Sequence, residues 1–303
     1  MRAIAVVGPT ASGKTRRGVA LAQAFDGEIL SADSRQVYRG MDVGTGKDLG
    51  DYPEGVRYHM IDVAPAGYRY NLYEYLRDAR RVNDDISRRG KRTVIVGGTG
   101  LYVESLLKGI VLPEVPENRE LRAGLAGKSL DELASILAGM KTLHNVTDID
   151  TAQRAIRAIE IEEYYQSHPE AAMLARTPRP LDALIVCVDI PRDERRRLIT
   201  ERLRRRFEQE GMLDEVQGLL ATGVKPDDLI YYGLEYKYLT LYVTGQIDRP
   251  TMYSELEIAI HQFAKRQMTW FRGMERRGFV LNYLPYDMPD DEFKDAVGIL
   301  LER

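Results

Sequence analysis

The 303-residue sequence holds a single cysteine, Cys187, so it has no internal disulfide and no cysteine-rich metal centre. Its four histidines, His59, His144, His168 and His261, are scattered, which argues against a zinc site built from neighbouring ligands. Long hydrophobic runs are missing too. Nothing approaches the ~20 apolar residues that a membrane span needs. The first residues read as a strand rather than a leader, so a reducing cytoplasm is the expected setting. An excess of one charge is also absent: 43 basic and 46 acidic side chains leave −3, a total that speaks against nucleic acid. The total conceals clustering. Residues 192–206 contain eight arginines, and 265–277 are basic again. Such faces can grip a phosphate backbone, because only the contacting face matters, or they can be solvated helix surfaces balanced by Glu194 and Glu201.

What is present first is strand-helix alternation. Ala3–Val7 is a continuous apolar run of the kind buried on both faces, and a helix follows Lys14. Residues 28–32 read as a second strand ending at Asp33. A helical stripe, Leu72, Leu76, Ala79, Val82 and Ile86, starts behind Asn71, a plausible cap with Glu74 three residues on. Residues 92–96 form a β-branched strand broken by Gly97-Gly98-Thr99-Gly100. This predicts an α/β fold: a P-loop core with a parallel sheet flanked by helices and ligands at the strands' carboxyl ends. Only helical patterns occupy 117–166, with a loop near 144–150, before strands at 184–188 and 279–284. The expected division is a core at 1–112, a helical insert at 113–180, and the rest of the core with basic C-terminal helices at 181–303.

Between the first strand and its helix lies Gly8-Pro-Thr-Ala-Ser-Gly13-Lys14-Thr15, the spacing G-x-x-x-x-G-K-[ST]. Successive backbone N–H groups there make an anion nest, Lys14 adds a charge, and the Thr15 hydroxyl suits Mg²⁺. The similar-looking Gly44-Thr-Gly46-Lys47 lacks the arc and is read as a loop. Asp33, after the second strand, could bind metal, act as a base, or cap a helix. Thr99, after another strand, offers a hydroxyl in the same crevice or simply turns the chain. In "HQFAKRQMTWFRG", packing explains Phe263, Trp270 and Phe271 but leaves Gln267 and the basic residues unexplained.

Together these stretches resemble one family, the tRNA dimethylallyltransferases. The points of match are residues 8–15, "SADSRQVYRGMDVGTGK" at 31–47, "VGGTGLYV" at 96–103, "QRAIRAIEI" at 153–161 and "AKRQMTWFRG" at 264–273, in the family's order. The resemblance implies transfer of a five-carbon prenyl group from dimethylallyl diphosphate to N6 of adenine 37, in tRNAs that read codons beginning with U. It places the diphosphate on Gly8, Pro9, Thr10, Ala11, Ser12, Gly13, Lys14 and Thr15, with Thr10 at the allylic end and Mg²⁺ near Thr15. It gives Asp33 the role of base and Thr99, with Gly98 behind it, the acceptor nucleotide. Asp33, Ser34, Arg35, Gln36, Thr99, Gln153, Arg154, Ala155, Ile156 and Arg157 match tRNA-contacting stretches. Arg122 matches an arginine that fills the space of the flipped base, with Arg119 a rival. A cytoplasmic monomer is expected. The chain departs from the family pattern at 206–211, at 229–239, which lacks an arginine, and at 145–154. Two other enzymes share the phosphate loop: a prenyltransferase acting on free AMP or ADP, and a small-molecule phosphotransferase. A protein that binds tRNA without modifying it is the non-enzymatic alternative.

Overall fold

The computed structural model of the chain describes residues 1–142 and 149–303. Among them it divides into two units, 1–108 with 181–303, and 109–180. No helix among the described residues is long and apolar enough to cross a membrane.

The larger unit is built on a six-stranded sheet. Its strands are β1 (Ala3–Val7), β2 (Gly27–Ser31), β4 (Tyr58–His59), β6 (Arg92–Gly97), β7 (Ala183–Asp189) and β8 (Leu281–Pro285), in the order β4-β2-β6-β1-β7-β8. Every pairing is parallel, with Val6 opposite both Val96 and Val186. β1 is buried at all five positions, as a strand covered on both faces must be. The short strands β3 (Tyr38–Arg39) and β5 (Ala64–Pro65) pair separately.

Helices cover the faces: α1 (Lys14–Ala24), α2 (Leu72–Arg88) and α3 (Gly100–Leu107) come from the first half of the chain. α2 starts with a complete capping box, Asn71 accepting from the Glu74 amide while Glu74 accepts from that of Asn71. The second half supplies α8 (Arg192–Glu208), α9 (Met212–Ala221), α10 (Pro226–Tyr232), α11 (Leu234–Val243), α12 (Arg249–Arg276) and α13 (Asp290–Leu301). α1 and α13 pack on the sheet through Val19, Leu21, Phe293 and Val297. A second core joins Ile199 and Leu203 of α8, Tyr236 and Leu239 of α11, and Leu256 and Ile260 of α12 to Val37, Tyr38 and Met41. That core fixes the floor of the cleft described below.

The smaller unit holds α4 (Arg119–Leu125), α5 (Leu130–Met140), α6 (Ala152–Ser167) and α7 (Pro169–Arg176) around Leu125, Leu133, Leu137, Ala155, Ala158 and Ile159. It begins four residues before the 113 read from the sequence. Gly109 O accepts the Arg179 N–H at 2.9 Å, closing the segment on itself. Gly109 has φ +69°, and a Cβ there would lie 1.9 Å from the Arg179 carbonyl carbon, so only glycine fits. The loop expected at 144–150 lies, up to residue 148, outside the described residues.

Candidate active site

Because β2, β6 and β1 are parallel neighbours, the loops after them open on the same edge of the sheet. The first is the turn from β1 into α1. Gly13 adopts φ 77° and Ala11 φ 63°, which curls the chain so that α1 presents its unpaired N–H groups to the cleft. Ser12 Oγ is buried there with no hydrogen-bond partner among the described residues. Lys14 Nζ reaches back to Pro9 O at 3.2 Å. Burial lowers the Lys14 pKa from 10.5 to about 8; Asp33 opposes this and the Arg202 charge adds to it.

The other two loops are tied together. The Thr99 amide donates to Ala32 O at 3.2 Å, the Ser34 amide donates to Thr99 Oγ1 at 3.0 Å, and Thr99 Oγ1 lies 3.2 Å from Ser34 Oγ. Asp33 Oδ1 accepts the Arg35 N–H at 3.0 Å, the geometry of an Asx turn. That bond aims the carboxylate. Gly97 lets the two strand ends approach: a Cβ there would lie 2.2 Å from Ala32 O.

The opposite wall comes from α8 and the 42–48 loop. Arg202 donates to Thr10 Oγ1. Burial, then Arg206, lower its pKa from 12.5 to about 10. Arg206, one turn on, is buried against Gly46 and bonds both oxygens of Asp48, at 2.9 and 3.1 Å. Glu215 clasps the loop from behind, accepting the amides of Asp42, Val43 and Gly44 at 2.6, 2.7 and 3.1 Å and the Tyr236 hydroxyl at 2.6 Å. Lys47 is fully buried between Asp42, Asp62 and Tyr38 O. The stretch 44–47 is thus a loop, its neighbouring amides occupied by the protein's own carboxylate. The enclosed cleft is lined by Thr10, Lys14, Thr15, Asp33, Asp48 and Arg202 among others.

Of the residues singled out from the sequence, Thr10, Ala11, Gly13, Lys14, Thr15, Asp33 and Gln36 line one cleft, with Thr99 bonded to the turn that follows Asp33. Two in the larger unit have their functional groups engaged inside the fold. Gln36 accepts from Ser31 and donates to Gly46 O; Arg35 pairs with Glu235 at 2.7 Å and lies over the Phe263 ring. In the smaller unit, Arg122 and Arg157 both hold the buried carboxylate of Glu160, and Arg154 pairs with Asp150. Gln153 is exposed and Ile156 half-buried. Ala155 is completely buried, its side chain packed in that unit's core. Sequence reasoning missed Arg202, Asp48, Glu215 and the task of Gln267. For Arg202 the only signal was the run of eight arginines, which does not single one out.

Metal-fitting groups can be judged from the same donors. Thr15, Asp33, Asp48 and Asp51 line the cleft, all of them oxygen ligands. Among the described residues no three acidic, His or Cys side chains come close enough to cage an ion. This donor set fits Mg²⁺, which takes one or two protein oxygens and completes its shell with water and phosphate.

A parallel sheet flanked by helices, with three loops gathered at its carboxyl edge, defines an α/β architecture with its cleft at the strand ends. The chain belongs to the IPP transferase family, which matches residues 36–274; the Isopentenyl transferase family matches 1–63. It is 56% identical over 292 residues to tRNA dimethylallyltransferase 1 of Parabacteroides distasonis, covering 95% of this chain and 94% of that one. It is 58% identical, with the same coverage, to tRNA dimethylallyltransferase 2 of Bacteroides fragilis. The full-length tRNA isopentenylpyrophosphate transferase of Bacillus halodurans has a similar structure, with TM-score 0.72 at 28% identity, over 99% of this chain and 96% of that one. A eukaryotic dimethylallyltransferase acting on tRNA shares the fold at TM-score 0.80 and 20% identity, over 99% of this chain and 77% of that one.

Proposed function

We propose that this chain transfers a dimethylallyl group from dimethylallyl diphosphate to N6 of adenine 37 in tRNAs reading codons that begin with U, releasing diphosphate. The observation that carries the reading is the single cleft into which Asp33, Lys14, Thr15 and Arg202 all open. The curated relatives named for this activity match over nearly the whole chain.

The reaction needs two things from the protein. As the allylic C–O bond breaks, its electron pair passes to the diphosphate, and the growing charge must be met. The unpaired N–H groups at the start of α1, Lys14 and Arg202 are arranged for that, and Thr10, held by Arg202, sits at the allylic end. The acceptor is an exocyclic amine conjugated with its ring and therefore a poor nucleophile. As N6 bonds to the allylic carbon, its proton passes to Asp33. Thr99, bonded to the Asp33–Ser34 turn, holds the acceptor against that carboxylate. Adenine 37 must leave its stack to enter the cleft, at a cost of a few kcal/mol. Mg²⁺ held by Thr15 and the phosphates would supply further charge neutralisation. Ser34, Arg35, Gln36, Arg122, Gln153, Arg154 and Arg157 are assigned to tRNA, and the protein acts as a cytoplasmic monomer.

Incubation with radiolabelled dimethylallyl diphosphate beside bulk tRNA, AMP and ADP tests the reading. Label should enter tRNA alone. Label in AMP or ADP, or in none, contradicts it.

A further inference from the structure

Of the eight arginines of α8, four are satisfied within the protein and Arg204 is exposed near the helix's C-terminal end. Arg197 pairs with Glu194 and Glu201, Arg205 with Glu210, Arg206 with Asp48, and Arg202 with Thr10. Three at the start of the helix are not. Arg192, Arg195 and Arg196 have no hydrogen bond or ion pair with any described residue, and neither has Arg272, which faces them from α12.

The arrangement is costly. α8 starts at Arg192 behind Pro191, so the three guanidiniums stand in or beside its first turn, where the helix dipole disfavours cations. They also repel one another: after burial, the charges of Arg192, Arg272 and Arg196 lower the Arg195 pKa. His261 on α12 registers the same field, its pKa lowered by burial and then by Arg196, with Glu257 opposing. Packing demands none of this, since α8 meets α12 through Ile199 and Leu203.

Placement gives the cluster a use. β7 ends at Asp189, on the carboxyl edge that carries the cleft, and a Cβ on Gly8 would lie 3.3 Å from Val188 O of the same strand. Arg195 and Arg202 are seven residues apart on one face of α8, about 10 Å along the axis. A row of cations therefore runs from open surface to the floor of the cleft. We propose that Arg192, Arg195 and Arg196 form a phosphate-backbone site that holds the RNA strand flanking the nucleotide in the cleft. The proposal rests on the tRNA-acceptor reading. A polyanion both relieves the repulsion and uses the helix N-terminus, which by itself attracts phosphate.

The test is the triple variant Arg192→Gln, Arg195→Gln, Arg196→Gln, beside the matching triple lysine variant. Transfer of label from dimethylallyl diphosphate to tRNA is followed across a salt series, with a thermal melt. The glutamine variant should raise the KM for tRNA about tenfold or more, and lessen its log–log salt slope by about 2, since each single-strand phosphate contact contributes about 0.7. The KM for dimethylallyl diphosphate and the rate at saturating tRNA should stay unchanged. The melting temperature should hold or rise as repulsion is relieved, and the lysine variant should retain most of the tRNA affinity. Unchanged tRNA KM and salt slope, with normal transfer by the wild type, overturn this proposal alone. A lowered melt with both substrates weakened equally overturns it in favour of a structural role. Failure of the wild type to modify tRNA at all overturns the acceptor reading and this inference with it.

Discussion

Gln267, buried in the middle of α12, accepts the Thr10 amide N–H at 2.8 Å through Oε1 and donates through Nε2 to Gly98 O at 2.9 Å. One side chain therefore spaces the turn after β1 from the turn after β6, two loops more than 80 residues apart in sequence. A Cβ on Gly98 would lie 2.3 Å from Nε2, so the contact also requires that glycine. Gln267→Leu should leave the Thr10 amide and the Gly98 carbonyl unpaired. Each lost buried hydrogen bond costs about 1–3 kcal/mol, and a urea melt should show the midpoint falling accordingly. Transfer should fall more than stability does, because Thr10 and Thr99 lose their common spacer.

Lys14→Ala removes one charge from the developing diphosphate. Single-turnover transfer at saturating substrate should slow about 10²–10³-fold, the usual effect of losing one such contact. Binding of dimethylallyl diphosphate, measured by calorimetry, should weaken as well. An unchanged single-turnover rate takes Lys14 out of the chemistry.

The pH dependence follows from the same residue. In the free protein its pKa is about 8, and an approaching diphosphate favours the charged form. Affinity for dimethylallyl diphosphate should therefore be full below pH 8 and fall as pH rises through it, by at most tenfold per unit. Proton uptake on binding near pH 8 is the direct measurement, and Lys14→Ala should abolish it. The sign for folding is opposite. Between about 8 and 10.5 the unfolded chain holds a proton that the folded one has lost, so the Lys14 contribution to stability rises with pH there.

Arg154 and Arg157 separate recognition from architecture. Arg157 holds buried Glu160 and Val115 O, whereas Arg154 makes an exposed pair with Asp150 one turn away. Both alanine variants should weaken tRNA binding in a salt-dependent manner and leave dimethylallyl diphosphate binding alone. Only Arg157→Ala should lower the melting temperature, because an exposed i,i+4 pair contributes at most about 0.5 kcal/mol.

The features legible in the sequence were the local ones. The apolar run 3–7, the capping pair Asn71 and Glu74, and the spacing of residues 8–15 each carry their meaning within a dozen residues. The strands and the α2 cap appear where those patterns put them. The illegible features are pairings across the chain. Nothing near Gln267 marks it as the partner of Thr10, 257 positions away. Nothing in residues 42–44 announces that Glu215 will fill their amides, or that Lys47 will be fully buried. Arg202 is one arginine among eight until the fold turns its face of α8 toward Thr10. Family resemblance pointed to the 264–273 stretch as a whole but could not say which of its atoms touch the phosphate turn.

The central claim is that Asp33 takes the N6 proton, and Asp33→Asn tests it most directly. The amide keeps the shape and can still accept the Arg35 N–H, but it cannot accept the proton. Single-turnover transfer to tRNA, measured across a Mg²⁺ titration beside a thermal melt, should fall roughly 10²–10⁴-fold. Binding of tRNA and of dimethylallyl diphosphate should stay near wild type, and added Mg²⁺ should not restore the rate. A near-normal rate, or full rescue by metal, contradicts the account and leaves Asp33 a turn residue or a metal ligand.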